Sequence, residues 1–76
     1  MNVYLINRPK HTANYHENSG HVIVAHDEAE VVAVAKIGKA QEPESAWDQN
    51  VSIEHIGTYT GDKTDAHIMM TTFVEG

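Results

Sequence analysis

The 76-residue sequence predicts an α+β fold: a ββαββ two-layer sandwich, a mainly antiparallel four-stranded sheet with one helix on one face. Three observations carry this expectation. First, residues 22–37 (VIVAHDEAEVVAVAKI) run an apolar strand straight into a helix start. Second, a further apolar run, VYLI at residues 3–6, precedes that pair. Third, two β-rich runs at residues 51–59 and 67–74 flank GDKTD (61–65), a Gly-containing loop of hairpin type. The whole chain, 1–76, reads as one α+β domain, near the lower size limit for independent folding.

Residues 3–6 form the first strand, apolar on both faces and therefore central in its sheet. Arg8-Pro9 ends it, because proline cannot donate to a ladder. Residues 11–20 (HTANYHENSG) are turn formers and read as a long loop, and residues 21–25 form the second strand. A capping box opens the helix. Asp27 is placed to accept from the N–H of Glu30, and the Glu30 side chain to reach back to the N–H of Asp27. The helix runs from about Glu28 to Ile37 and stops at Gly38, read as a C′ residue. Glu28 and Glu30 suit the positive end of its dipole, and Lys36 and Lys39 the negative end. Because valine is a mediocre helix former, packing and caps must hold so short a helix.

Residues 41–50 (QEPESAWDQN) read as an acidic loop carrying the single tryptophan. In the terminal hairpin, alternation groups Val51, Ile53 and Tyr59 with Met69 and Phe73 on the face under the helix. Ile56 breaks that phase, and Gly57 beside it allows a bulge. A right-handed crossover from strand two to strand three places strand one beside strand three, for an expected order 2-1-3-4. The helix is apolar on two sides: Val31, Val34 and Ala35 on one, Ala29, Val32, Ala33 and Ile37 on the other. The second stripe is covered either by strand and loop residues of the same chain or by a partner, a second copy included.

Composition narrows the function classes. The absence of cysteine excludes disulfides, thiolate catalysis and Cys-based zinc sites. The opening MNVYLINRPK lacks a basic segment followed by an apolar one, and no apolar run approaches the roughly 20 residues of a membrane span. A cytoplasmic protein is the expectation, and the sequon Asn50-Val51-Ser52 then has no role. The net charge is −6 and unevenly spread. Arg8 and Lys10 are the only charges in the first sixteen residues, whereas seven acids between Asp27 and Glu54 face only Lys36 and Lys39. That balance argues against direct nucleic-acid binding, which needs a basic surface. It suits either simple solubility or a basic protein surface as partner.

No pattern of side chains in the sequence assigns a chemistry. His11, His16, His21 and His26 recur every five residues, a spacing that puts successive side chains of a strand on opposite faces. His55 and His67 can share a face of the terminal hairpin, but no third ligand accompanies them. Metal binding through the histidines is therefore an alternative, set against solvated or packed imidazoles. Ser19, Ser45 and Ser52 lack a nucleophile-elbow context, and helix capping and loop solvation account for the carboxylate pairs Asp27/Glu28 and Glu42/Glu44. The segment GTYTG (57–61) lacks the lysine of a phosphate loop and leads to a hairpin instead of a helix. Trp47 reads as a lid on the core. No enzyme activity, cofactor, catalytic residue or metal ligand is expected.

One resemblance adds to this reading. The opening MNVYLI, the polar loop closing on Ser19-Gly20, the β-run ending in Ala25, then Asp27 and the Ala/Val helix to Lys36 resemble type I anti-CRISPR proteins of phages and mobile elements. The later pattern of Trp47, Val51, Ile56-Gly57, Phe73 and Gly76 is similar to uncharacterised phage proteins. The resemblance covers about half the chain and carries no shared motif. It implies a stoichiometric inhibitor in the host bacterial cytoplasm that binds a CRISPR effector complex and blocks DNA binding or nuclease recruitment. The residues suited to a basic nucleic-acid channel are Asp27, Glu28, Glu30, Glu42, Glu44 and Asp48. The competing class is a small homodimeric structural or regulatory module, with the second helix stripe as its seam.

Overall fold

A computed structural model describes residues 1–9, 17–48 and 50–73, with Phe73 described by its backbone. Strands β1 (Asn2–Asn7) and β2 (Asn18–Ala25) are followed by helix α1 (Glu28–Ile37) and a single 3₁₀ turn, Glu44–Trp47. Strands β3 (Ser52–Thr58) and β4 (His67–Phe73) complete the fold. The four strands form one antiparallel sheet, and α1 packs against it chiefly over β2, as the ββαββ reading requires.

The strand order is β3-β1-β2-β4. Strand β3 lies beside β1, as expected. Strand β4 does not pair with β3 and instead pairs with the far side of β2, from Asn18↔Phe73 to Val24↔His67. The expected terminal hairpin is thus replaced by a connection over residues 59–66 that passes from one edge of the sheet to the other. The physical reason lies in β2. It is longer than the expected 21–25, beginning at Asn18, and it is apolar on both faces. Ile23 and Ala25 are buried in the core, and Val24, on the opposite face, is buried as well. A strand of that kind is most stable with partners on both sides. The order 2-1-3-4 would have left it at an edge. The mixed strand β3, with Glu54 and His55, takes the edge instead.

The connection is closed locally. The Tyr59 N–H donates to the Met1 carbonyl at 2.9 Å, and the Tyr59 hydroxyl accepts from the Lys63 N–H at 3.3 Å. Its ring meets the His67 imidazole edge-on at 5.3 Å, so Tyr59 leaves the predicted face under the helix. Val51 and Ile53 do pack against the core. Met69 does not: it is exposed, and Ile68 takes the core position, because the β2–β4 register shifts between Val22 and Ile23. The β1–β3 register also shifts, between Val3 and Tyr4, with Ile56 as the extra residue before Gly57. That is the bulge which the broken phase at Ile56 predicts.

The core joins Tyr4 and Ile6 of β1, Ile23 and Ala25 of β2, Val31 and Ala35 of α1, and Trp47. Burying one Ile- or Val-sized side chain contributes roughly 1.5–3 kcal/mol. Helix α1 spends one valine, Val31, and one alanine, Ala35, on full burial, so its caps matter. Val32 and Val34 flank them against the same core, while Ala29, Ala33 and Ile37 are exposed. The second apolar stripe is thus partly covered within the monomer. At the far end Gly38 is not left-handed, its φ being −87°. A Cβ there would meet the Ile68 Cδ1 atom, the movable end of a side chain that would have to shift. Among the described residues, no helix is long and apolar enough to cross a membrane.

Candidate functional site

The helix start forms as the capping box predicts, with one change of partner. The Asp27 carboxylate accepts from the Glu30 N–H at 2.9 Å. The Glu30 carboxylate reaches one residue further back than expected and accepts from the His26 N–H at 2.7 Å. The same oxygen lies 2.9 Å from His26 Nδ1. The backbone hydrogen bond from His26, followed by the imidazole contact, holds the Glu30 carboxyl below its ordinary range. Asp27 and Glu28 stand exposed at this corner.

The segment after α1 is built around a buried carboxylate. Glu42 is fully buried, and so cannot belong to the acidic surface expected of it. Its Oε1 accepts from the Asn18 N–H at 3.1 Å and the Ala40 N–H at 3.0 Å. Its Oε2 accepts from the Trp47 indole N–H at 3.1 Å. Burying a carboxylate is tolerable only when donors surround it, and here three do. Asn18 ties the segment to the helix end, its side-chain amide donating to the Gly38 carbonyl at 3.0 Å. Trp47, fully buried, closes the core as the lid reading expects.

Beneath Trp47 lies His21, with 1% of its surface exposed and its ring 4.8 Å from the indole. Its Nδ1 is 2.9 Å from the Thr71 hydroxyl of β4, and its Nε2 is buried without a partner. Burial lowers the His21 pKa from its ordinary 6.5, against the opposing field of Glu42. This cluster was not legible as a site. The one signal was a histidine, His21, opening the apolar run VIVA; Glu42, between Gln41 and Pro43, gives none, and their meeting depends on how the 38–47 segment folds back over β2.

The remaining acids divide into two groups. Asp27, Glu28 and Glu30 lie at the start of α1, and Glu44 and Asp48 lie on the 3₁₀ turn and its C-terminal cap. Asp48 is paired with Lys36, 2.7 Å away in the last turn of α1. The groups are thus separated along α1 by about 12 Å, eight residues at a rise of about 1.5 Å. Four of these acids are exposed, and Glu30 is half-buried.

The described histidines do not assemble a metal centre. Among the described residues no group of three or more His, Asp or Glu side chains is placed to hold a metal ion. His55 stacks near Tyr4 on the β3 side, and His67 lies on the β4 edge beside Tyr59, so the two do not share a hairpin face. His11 and His16, with the rest of the loop at 10–16, lie outside the described residues. Compared with known proteins, the chain matches no family model, no curated protein and no solved structure.

Proposed function

We propose that this chain is a stoichiometric protein-binding inhibitor that sets its acids against the basic, nucleic-acid-binding surface of a bacterial protein complex. A CRISPR effector complex is the partner its N-terminal half suggests. The contact residues are Asp27, Glu28, Glu30, Glu44 and Asp48, without Glu42. The observation that supports this reading is the hydrogen-bonded mounting of these acids. One group stands on a capped helix start, and the other on a 3₁₀ turn braced from below by Glu42 and Trp47. Acids held in place lose little freedom on binding, so their charge goes into steering and specificity.

The homodimer reading has less support. Val32 is partly buried against the core of its own chain, and among the described residues the large exposed apolar ones, Ile37, Ile56, Met69 and Met70, are divided among the helix end and the two opposite sheet edges. Apolar residues divided in this way do not form one continuous seam.

The test is co-purification of the tagged chain from a CRISPR-bearing bacterium at low and high salt. Retention of one effector complex at low salt, released at high salt, is expected. The triple variant Asp27→Lys, Glu28→Lys, Glu44→Lys should abolish retention. Retention unchanged by that variant would overturn the acidic mechanism. Recovery of the chain alone, at dimer mass, would transfer the function to self-association.

A further inference from the structure

We propose that His21 is an acid-sensitive latch on the segment that carries Glu44 and Asp48. In the protonated imidazole both ring nitrogens carry an N–H, that on the buried Nε2 meets no acceptor, and the 42–48 segment above it opens to let water supply one.

The geometry leaves little alternative to opening. In the neutral tautomer that carries its proton on Nδ1, that N–H faces the Thr71 hydroxyl at 2.9 Å and the buried Nε2 keeps only a lone pair. A buried lone pair without a partner is tolerable, but a buried cationic donor without an acceptor is far more costly. The groups facing the ring are Trp47 and Glu42 from the segment after α1 and Thr71 from β4, and β1 sets Ile6 opposite it in register. Glu42 is the charged group whose field acts on it, and its two oxygens are already engaged by Asn18, Ala40 and Trp47. For Glu42 to accept from His21 its carboxylate must move, because Nε2 has no acceptor within reach in the closed form, and the oxygen with acceptor capacity to spare, Oε2, is the one that holds the Trp47 indole stacked on the ring. Relief of the new donor and loosening of the brace are therefore one event.

The direction follows from linkage. Burial holds the folded His21 below its ordinary pKa of 6.5, so the open form takes up a proton that the closed form resists. The closed state keeps its full advantage above 6.5 and loses it as pH falls from there towards the lowered folded value. The opening equilibrium rises by up to about tenfold per pH unit in that window. This inference rests on the proposed function only in naming Glu44 and Asp48 as contact residues. The opening itself is a property of the free protein.

It is tested without any partner, by following Trp47, the single tryptophan. Hydrogen-exchange protection of the Ala40 amide and the Trp47 indole N–H is measured from about pH 7.5 to about pH 5.5, in the wild type and in His21→Asn. Protection in the wild type should fall by up to about tenfold over the unit below 6.5, and stay flat in His21→Asn, whose amide can still reach Thr71 but does not titrate. Flat protection in the wild type, or an equal fall in both proteins, would overturn the latch. Should His21→Asn fail to fold, the His21 ring of the wild type is titrated by NMR. A midpoint below 6.5 that coincides with movement of the Trp47 indole resonance supports the latch. A midpoint at or above 6.5, or an unmoved indole, refutes it.

Discussion

Replacing Glu42 by glutamine isolates what the buried carboxylate does. The substitution conserves shape and removes one acceptor oxygen. The carboxylate faces three donors, the Asn18 and Ala40 N–H groups on one oxygen and the Trp47 indole on the other. With the amide nitrogen towards Trp47, two donors face each other across a fully buried contact. With the amide flipped, its nitrogen faces two backbone donors, which is worse. In the better orientation one hydrogen bond to a charged acceptor is lost, about 1.5–3 kcal/mol, and the indole N–H is left unsatisfied. Against this stands the relief of no longer burying a charge. With three donors already aimed at the carboxylate, the loss exceeds the relief, and a net cost of about 2 kcal/mol is expected. In a domain of this size that lowers Tm by about 8–16 °C. The assay is urea unfolding followed by Trp47 emission, with Glu42→Ala alongside. The alanine variant strands all three donors and must cost more than glutamine. Stability of Glu42→Gln within about 0.5 kcal/mol of wild type, or a cost above that of Glu42→Ala, would refute the three-donor account.

Two further perturbations probe the helix ends. Asp27→Ala removes the N-cap acceptor of the Glu30 N–H and should cost about 1 kcal/mol in chemical denaturation, with Asp27→Asn retaining most of the stability. Gly38→Ala brings a Cβ against the Ile68 Cδ1 atom at a φ that alanine accepts. The steric cost and the gain from a stiffer unfolded chain oppose each other there. A double-mutant cycle with Ile68→Val should therefore show coupling of about 1 kcal/mol, Gly38→Ala being better tolerated beside the shorter valine. Additive effects would place the constraint at Gly38 elsewhere.

Local chemistry was legible in the sequence wherever neighbours in the chain decide it. The helix Glu28–Ile37 and its Asp27 cap follow from residue types at short spacing, as does the Ile56-Gly57 bulge. Long-range pairing was less legible. GDKTD is a sound turn signal, yet β4 joins β2, because a strand apolar on both faces gains more from a second neighbour than the short loop gains from a local hairpin. The signal was present in HVIVA, as continuous an apolar run as the VYLI correctly placed at the centre, but its consequence depends on comparing all four strands at once.

The candidate site divides in the same way. Asp27, Glu28, Glu44 and Asp48 are exposed as their polarity suggests, since a carboxylate belongs in water unless several donors converge on it. Glu42 differs from Glu44 in nothing the sequence displays. Only the tertiary structure decides that three donors from β2, the 38–41 segment and Trp47 converge on Glu42, and that His21 is sealed below the same indole. Sequence by itself determined which segments are helix and strand and where charge concentrates, because propensity, capping and periodicity act over a few residues. The edge order of the sheet, the burial of one acid among several and the trapping of one histidine were decided by packing between segments far apart in the chain, where desolvation is satisfied or left costly only once the whole fold is closed.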